Sequence, residues 1–311
     1  MLRLSFIVPF YNAESYIEEC IRSLYAQDIP QTEYEVICVD DCSLDNSVAV
    51  IEDWKLKVEN LKLIRHTENK RQGGARNTGL REAKGRYVWF VDADDYIQPN
   101  CLKQLLEQAE KENLDVLRFY FSFEGDTSYV TKMINTPVLT GSGAIFDYDT
   151  GEPLGIRCCS ACGQLIKRSY LEKKQILFEE YVQYEDDDYA YKVFAYAERV
   201  QWINIAPYIV RNSRNSTTRR ETDVRKILDL YNQTIRIVQL ESTLTKIDAR
   251  WQEFVRARVY WSVTGQIVPM YHQLTFTQKL FFCKSIFRTV WQLKKYVGKK
   301  IYLSLLGLKA A

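Results

Sequence analysis

Three carboxylates fall within four positions at Asp92-Ala93-Asp94-Asp95, directly after the apolar run Val88-Trp89-Phe90-Val91. An apolar run bounded by charge suits a buried strand, with the aspartates where the chain leaves the sheet. Carboxylates this close together repel unless something positive shares the site. A hard divalent cation is the obvious partner, because it takes oxygen ligands and keeps positions open for substrate phosphates. A solvated, Asp-rich turn is the bland alternative for these residues taken alone.

A second acidic run, Tyr184-Glu185-Asp186-Asp187-Asp188-Tyr189, opens a helical pattern carried on by Val193, Phe194 and Ala197. Acidic residues at a helix N-terminus are favoured by the helix dipole, so capping is one reading. Crowding of like charges should raise at least one of these pKa values, which helps a general base work near neutral pH.

The elements that must position these groups can be read in order. Leu4 to Pro9 is an apolar strand with no signal-peptide pattern before it, so no export is expected. Ser15 to Gln27 carries Ile17, Cys20, Ile21 and Leu24 at helical spacing. Glu35 to Val39 is a second strand, and Ser43 and Asp45 can cap a helix over Ser47 to Leu56. Leu61 to Ile64 is a short strand, Gln72-Gly73-Gly74 a turn, and Arg76 to Ala83 a helix ended by Gly85. The strand with the aspartates comes next. Pro207 to Arg211 is a last short strand. Strand and helix alternate four times in the first third, which predicts an α/β fold with a mostly parallel sheet covered by helices on both faces.

Such sheets bind ligands beyond the carboxyl ends of their strands. Three polar clusters sit there: Pro9-Tyr11-Asn12, Asp40-Asp41-Ser43-Asp45 and Asp92-Asp94-Asp95. No G-x-G-x-x-G follows the first strand and no G-x-x-x-x-G-K-[ST] occurs, which disfavours a dinucleotide-binding domain and a P-loop enzyme.

Four motifs taken together resemble the family 2 glycosyltransferases of GT-A fold, of the kind that build bacterial polysaccharides. They are Phe6 to Asn12, Val39 to Ser47, Gly74 to Gly79 and Phe90 to Asp95. The resemblance covers roughly residues 1–220, with Cys42 standing where the family usually has Gly. It implies a GT-A catalytic domain at 1–220, with a nucleotide-binding half at 1–95 and an acceptor-side half at 96–220. It further implies that Pro9, Tyr11, Asn12 and Asp40 line the base pocket, Asp40 accepting a base N–H. Arg76 would reach the pyrophosphate or order the rim, a helix-surface ion pair being the alternative. Asp92 and Asp94, flanking Ala93, would form the D-x-D motif that holds Mg²⁺ or Mn²⁺ and the donor. Glu185-Asp186 matches the family's E-D motif, which implies Asp186 as catalytic base and Glu185 as an acceptor-binding residue. Asp187 and Asp188 leave this register open by one position. Arg211 and the following Arg214, Arg219 and Arg220 suit diphosphate contact, in a segment that closes over the donor in the family. A basic linker is the alternative there.

The implied reaction is inverting transfer from a nucleotide sugar, a UDP-sugar, to a hydroxyl of a saccharide or lipid-linked acceptor in cell-surface polysaccharide synthesis. A non-catalytic nucleotide-sugar-binding or scaffold protein that retains the fold is the alternative.

Composition bounds the remainder. Eight cysteines without a secretory signal predict reduced thiols and a cytoplasmic protein. Cys158, Cys159 and Cys162 have no histidine nearby and fall short of a zinc site's usual ligand spacing; they lie in a stretch resembling the strand before the acceptor region. Residues 221–311 form a helical extension. After Glu253 there are ten Lys or Arg and no Asp or Glu, so the rest of the chain carries 32 basic against 40 acidic residues, a net of −8. Aromatic and aliphatic residues interleave with these charges from Phe276 to Leu306. No apolar run approaches the ~18–20 residues that span a bilayer. The pattern predicts helices lying on the inner membrane surface. Packing on the catalytic domain, or on a second subunit in a homo-oligomer, is the alternative. No nucleic-acid-binding motif accompanies the charge, so nucleic acid is not an expected partner.

Overall fold

The computed structural model describes residues 2–124, 138–140, 160–211, 223–243, 249–297, 301 and 305. Four parallel strands open the chain: β1 (Leu4–Phe10), β2 (Tyr34–Asp40), β3 (Leu61–Arg65) and β4 (Tyr87–Phe90). They alternate with α1 (Ile17–Tyr25), α2 (Ser47–Lys55) and α3 (Arg71–Glu82). Every residue of β1 and β4 is buried. That accounts for their unbroken apolar runs, since a parallel strand covered on both faces has no wet side to alternate towards.

The chain continues through β5 (Tyr96–Ile97), α4 (Leu102–Lys111), β6 (Val116–Arg118), β7 (Phe121–Phe123), β8 (Leu139–Thr140), β9 (Gln164–Lys167), α5 (Arg168–Lys174), α6 (Glu185–Tyr196), β10 (Arg199–Trp202) and β11 (Tyr208–Val210). The large sheet has eight strands in the order β3-β2-β1-β4-β9-β6-β10-β8. β9 is antiparallel to both of its neighbours, β4 and β6. A second sheet, β5-β11-β7, has three strands.

Side chains alternate across the large sheet, as the period of two requires. Phe6, Val8, Cys38 and Trp89 enter a core with α1 and α4. Ile7, Ile37, Val39, Val88 and Phe90 enter the other, with α3 and α6.

That second core does not stop at residue 220. It takes in α7 (Val224–Thr243), α8 (Ala249–Trp261), α9 (Val268–Gln273) and α10 (Phe276–Ile286). Phe282, Ile286, Val290 and Leu293 are almost fully buried in it. Each contributes roughly 1.5–3 kcal/mol of burial. The opposite face of the same segment stays exposed: Phe276, Leu280, Phe281, Phe287 and Trp291 point to solvent. The tail therefore combines the packing that was the alternative with an unburied apolar face. Among the described residues, no helix is long and apolar enough to cross a membrane. Lys299, Lys300, Tyr302, Leu303, Leu306 and Lys309 lie outside the described residues, as do Cys158, Cys159, Arg214, Arg219 and Arg220.

One expected turn is helix instead. Gln72-Gly73-Gly74 forms the start of α3. A Cβ at Gly73 would lie 2.1 Å from the Glu179 carbonyl oxygen, and one at Gly79 2.4 Å from Ile7 Cγ2. These glycines let α3 press against the Glu179 segment on one side and the sheet on the other, so they signal close packing here and not a chain reversal.

Candidate active site

The loops leaving β1 and β2 are laced together. Asn12 adopts φ 51°, its backbone N–H donating to Ser43 Oγ at 3.0 Å and its Oδ1 accepting from the Leu44 N–H at 2.7 Å. Ser47 Oγ accepts from the Ala13 N–H at 2.8 Å, and Asp45 Oδ2 from the Glu14 N–H at 3.0 Å. Pro9 ends up buried in β1, while Tyr11 projects from the rim with 46% of its surface exposed. Asp40 is buried, its Oδ1 accepting from the Ser43 N–H at 2.8 Å and its Oδ2 lying 3.4 Å from Arg65 Nε. Asp41 turns away from this rim. Its Oδ1 accepts from the Lys70 N–H and lies 2.8 Å from His66 Nδ1, while His66 Nε2 meets Thr78 Oγ1 at 2.9 Å. This buried relay ties β2 to the helix that carries Arg76.

Arg76 is 2% exposed, not the surface ion pair that an isolated helical arginine suggests. Its Nη2 donates to Asp92 Oδ1 at 2.7 Å and its Nη1 to Glu185 Oε1 at 2.5 Å. Its guanidinium lies 5.2 Å from the Phe178 ring, which stacks on Tyr189 at 3.6 Å. Asn77 exchanges hydrogen bonds with the Phe178 backbone at 2.9 and 3.0 Å, pinning this platform to α3. The positive charge needed by crowded aspartates is thus supplied in part by the protein itself.

The three aspartates separate by environment. Asp92 is partly exposed beyond its contact with Arg76. Asp94 is half-buried, and its neighbour Ala93 is buried. Asp95 is buried, with Oδ2 accepting from Tyr208 Oη at 2.7 Å and Oδ1 from the Arg211 N–H at 2.8 Å. Burial, helped by Asp92 and Asp94, pushes its carboxyl up to about 8. Asp95 therefore anchors β11 under the loop. Arg211 lies between Tyr16 and Tyr96, pairs with Glu19 at 2.6 Å and donates from Nε to the Asp94 carbonyl at 3.1 Å.

Among the described residues, no three His, Cys, Asp or Glu side chains converge as a ready cation site. The exposure of Asp92 and Asp94 still fits an ion bound by one or two carboxylates and completed by substrate phosphates, which is how Mg²⁺ is commonly held.

The acidic run forms the first turn of α6. Three of its four members are paired. Glu185 bonds Arg76, Asp187 bonds Arg258 of α8, and Asp188 pairs with Lys192 at 2.6 Å. Asp186 is half-buried, and no hydrogen bond or ion pair reaches its carboxylate from the described residues. Burial, then the charges of Glu185 and Asp187, hold its carboxyl well above the usual carboxylate range, against the pull of Arg76. Burial raises Glu185 as well. The sequence reading missed Arg258, Tyr208 and the His66 relay. Arg258 counted there only as one of the ten basic residues after Glu253.

Residues 5–174 match the profile of Glycosyl transferase family 2. The chain is 33% identical over 223 residues to a Bacillus subtilis (strain 168) protein named uncharacterized glycosyltransferase EpsJ, spanning 69% of this chain and 62% of that one. It is 43% identical over 118 residues to the poly(ribitol-phosphate) beta-N-acetylglucosaminyltransferase TarS of Staphylococcus aureus (strain Mu50), spanning 38% of this chain and 20% of that one. The chain thus spans less than two thirds of either relative's length. The crystal structure of S. aureus TarS 1-349 in complex with UDP-GlcNAc superposes with TM-score 0.78 at 22% identity, over 98% of this chain and 86% of that one. A mannosyltransferase from Pyrobaculum calidifontis, in complex with GDP-Man and Mn²⁺, superposes with TM-score 0.60 at 17% identity, over 98% of this chain and 84% of that one. Both superpositions show the same GT-A architecture, and the profile match over more than half the chain places this protein in glycosyltransferase family 2.

Proposed function

We propose that the protein transfers a sugar, with inversion, from a nucleotide-sugar donor to a hydroxyl of a saccharide or lipid-linked acceptor. The observation that carries this reading is the state of Asp186, the one carboxylate of its run without an ion pair among the described residues. A base must be free to take a proton, and burial with the neighbouring acids raises the proton affinity of Asp186 above that of an ordinary carboxylate. Asp186 removes the acceptor hydroxyl proton as that oxygen attacks the anomeric carbon. The bond to the nucleoside diphosphate breaks on the opposite face, and the leaving group takes the electron pair. Glu185, fixed by Arg76, helps orient the acceptor.

Pro9, Tyr11, Asn12 and Asp40 hold the base, with Asp92, Ala93, Asp94 and Arg211 along the diphosphate. A Mg²⁺ or Mn²⁺ ion held by Asp94 and Asp92 would supply Lewis-acid neutralisation of the leaving diphosphate. The TarS complex with UDP-GlcNAc favours a UDP-sugar donor. Relatives named for poly(ribitol-phosphate) glycosylation favour a cell-surface polymer as acceptor. The deciding experiment is Asp186→Asn. Donor binding should persist while turnover falls about 10²–10⁴-fold. A variant of normal rate ends the base assignment. Donor hydrolysis with and without metal separates this enzyme from a non-catalytic sugar-nucleotide binder, which would show none.

The same reading places the enzyme at the cytoplasmic face of the membrane through its tail. Phe276, Leu280, Phe287 and Trp291 recur at helical spacing on the exposed side, among the exposed Lys284, Arg288, Lys294 and Lys295. Apolar groups entering the headgroup region and roughly 1 kcal/mol for each basic residue near an anionic surface make a reversible attachment.

A further inference from the structure

We infer that Arg258, on α8, is a positioning residue for Asp186, acting through its buried ion pair with Asp187. This inference rests on the reading of Asp186 as the base.

Arg258 belongs by sequence to the basic tail, but it does not face solvent. It is 6% exposed, and its guanidinium lies 4.6 Å from the Trp261 ring and bonds Asp187 Oδ1. Asp187 is also buried, and it follows Asp186 directly in the first turn of α6. A buried arginine with a buried carboxylate partner is costly to desolvate. Here the pair lies where its charge matters most for chemistry. The charged groups acting on Asp186 come from three directions. Glu185 and Asp187 precede and follow it on α6, Arg76 approaches from α3, and Asp92 acts from the loop after β4. Arg76 divides its two arms between Asp92 and Glu185. Asp188 is answered by Lys192. That leaves Asp187 as the carboxylate whose compensation depends on α8. Arg258 offsets its charge and at the same time fixes the backbone turn from which Asp186 projects.

This predicts opposite effects from the two ends of one ion pair. Asp186 must be ionised to act, so the rate falls as pH drops through its pKa, producing an acid limb in kcat/KM. Arg258→Met leaves Asp187 uncompensated, which raises the Asp186 pKa and moves that limb to higher pH by roughly half a unit to one unit. Asp187→Asn removes a negative neighbour and leaves Arg258 unopposed, so the limb moves to lower pH by a similar amount. The double variant should return close to wild type, because the two changes are coupled. Arg258→Lys should keep the wild-type limb.

The test is a kcat/KM–pH profile of the full chain and these four variants, with thermal melts alongside. Opposite shifts that cancel in the double variant support the inference. Limbs that do not move, or that move the same way in both single variants, overturn it. If Arg258→Met does not fold, Asp187→Asn decides alone, a downward shift supporting the inference and an unmoved limb overturning it. An active Asp186→Asn would end the base reading itself, whereas an inactive one with unmoved limbs would end only the role of Arg258.

Discussion

Arg76 and Glu185 form a buried ion pair at 2.5 Å although 109 positions separate them in the chain. The other arm of the same guanidinium holds Asp92 at 2.7 Å. One side chain thus joins the D-x-D loop to the acidic turn of α6. Arginine can do this because its planar fork presents donors in fixed directions, and lysine cannot. Arg76→Lys should lower kcat/KM about 10²-fold, since small misplacements of catalytic groups are costly. Arg76→Met should also cost about 3–5 kcal/mol of stability, as it leaves buried acid unopposed. Steady-state kinetics and urea denaturation measure the two effects, and a Lys variant of full activity would show that bridging is dispensable.

Asp94→Ala should abolish Mg²⁺- or Mn²⁺-dependent transfer and weaken nucleoside diphosphate binding. Its carboxylate stays partly exposed beside Asp92, as a ligand shared with substrate phosphates would. Calorimetric titration of UDP with and without Mn²⁺ reads the binding, and activity in excess chelator reads the metal. Full activity under either treatment contradicts the assignment.

Cys42 occupies the left-handed region at φ 67°, a conformation that favours glycine. A non-glycine residue held there carries strain of about 1–2 kcal/mol. Its thiol also lies 3.1 Å from the His66 carbonyl oxygen, a contact that a glycine would lose. Cys42→Val should destabilise the protein by roughly 1–3 kcal/mol, because a β-branched residue is worse still at positive φ. Cys42→Gly should fall within about 1 kcal/mol of wild type, strain relief being offset by unfolded-chain entropy. Thermal melts of the three proteins test the ordering.

From the charge pattern of the sequence, removing the chain after about residue 270 is expected to release a catalytic domain that keeps some donor hydrolysis. The packing argues against that expectation. Phe282, Ile286, Val290 and Leu293 fill the core behind α3 and α6, so truncation there should unfold or aggregate the protein. Paired substitutions on the exposed face are the cleaner probe. Phe287→Glu with Trp291→Glu should leave the melting temperature within a few degrees and reduce co-sedimentation with anionic liposomes. Wild-type binding that is absent, or that survives both changes, would leave this face to a second protein subunit.

The parallel half of the fold was legible because its signals are local. The run Leu4 to Pro9 and the strand before Asp92 announce themselves by composition, and both appear within a residue or so of their expected limits. The region after Asp95 was not legible. β6, β7, β9 and β10 are three or four residues long, and their pairing depends on partners dozens of positions away. The candidate residues were found by type and order, but their states were not. Nothing about Arg76 in the sequence distinguishes a buried bridge from a surface helix arginine. Likewise, one aspartate in Glu185-Asp186-Asp187-Asp188 escapes pairing while Arg76 from α3, Arg258 from α8 and Lys192 from the next turn of α6 reach the other three carboxylates.

β9 has a consequence for motion. It hydrogen-bonds to β4 on one side and β6 on the other, so the sheet runs without a break from the parallel strands β1–β4 to β6, β10 and β8. Opening the cleft by rotating one half away from the other would tear two main-chain ladders in a dry interior, where each lost hydrogen bond is expensive. The frame is therefore stiff on the timescale of turnover, and substrate entry and product exit are left to side chains and rim loops. Such an enzyme should show little change in overall dimensions between its free and donor-bound forms in solution scattering, while hydrogen exchange slows locally around Tyr11, Asn12 and Arg211.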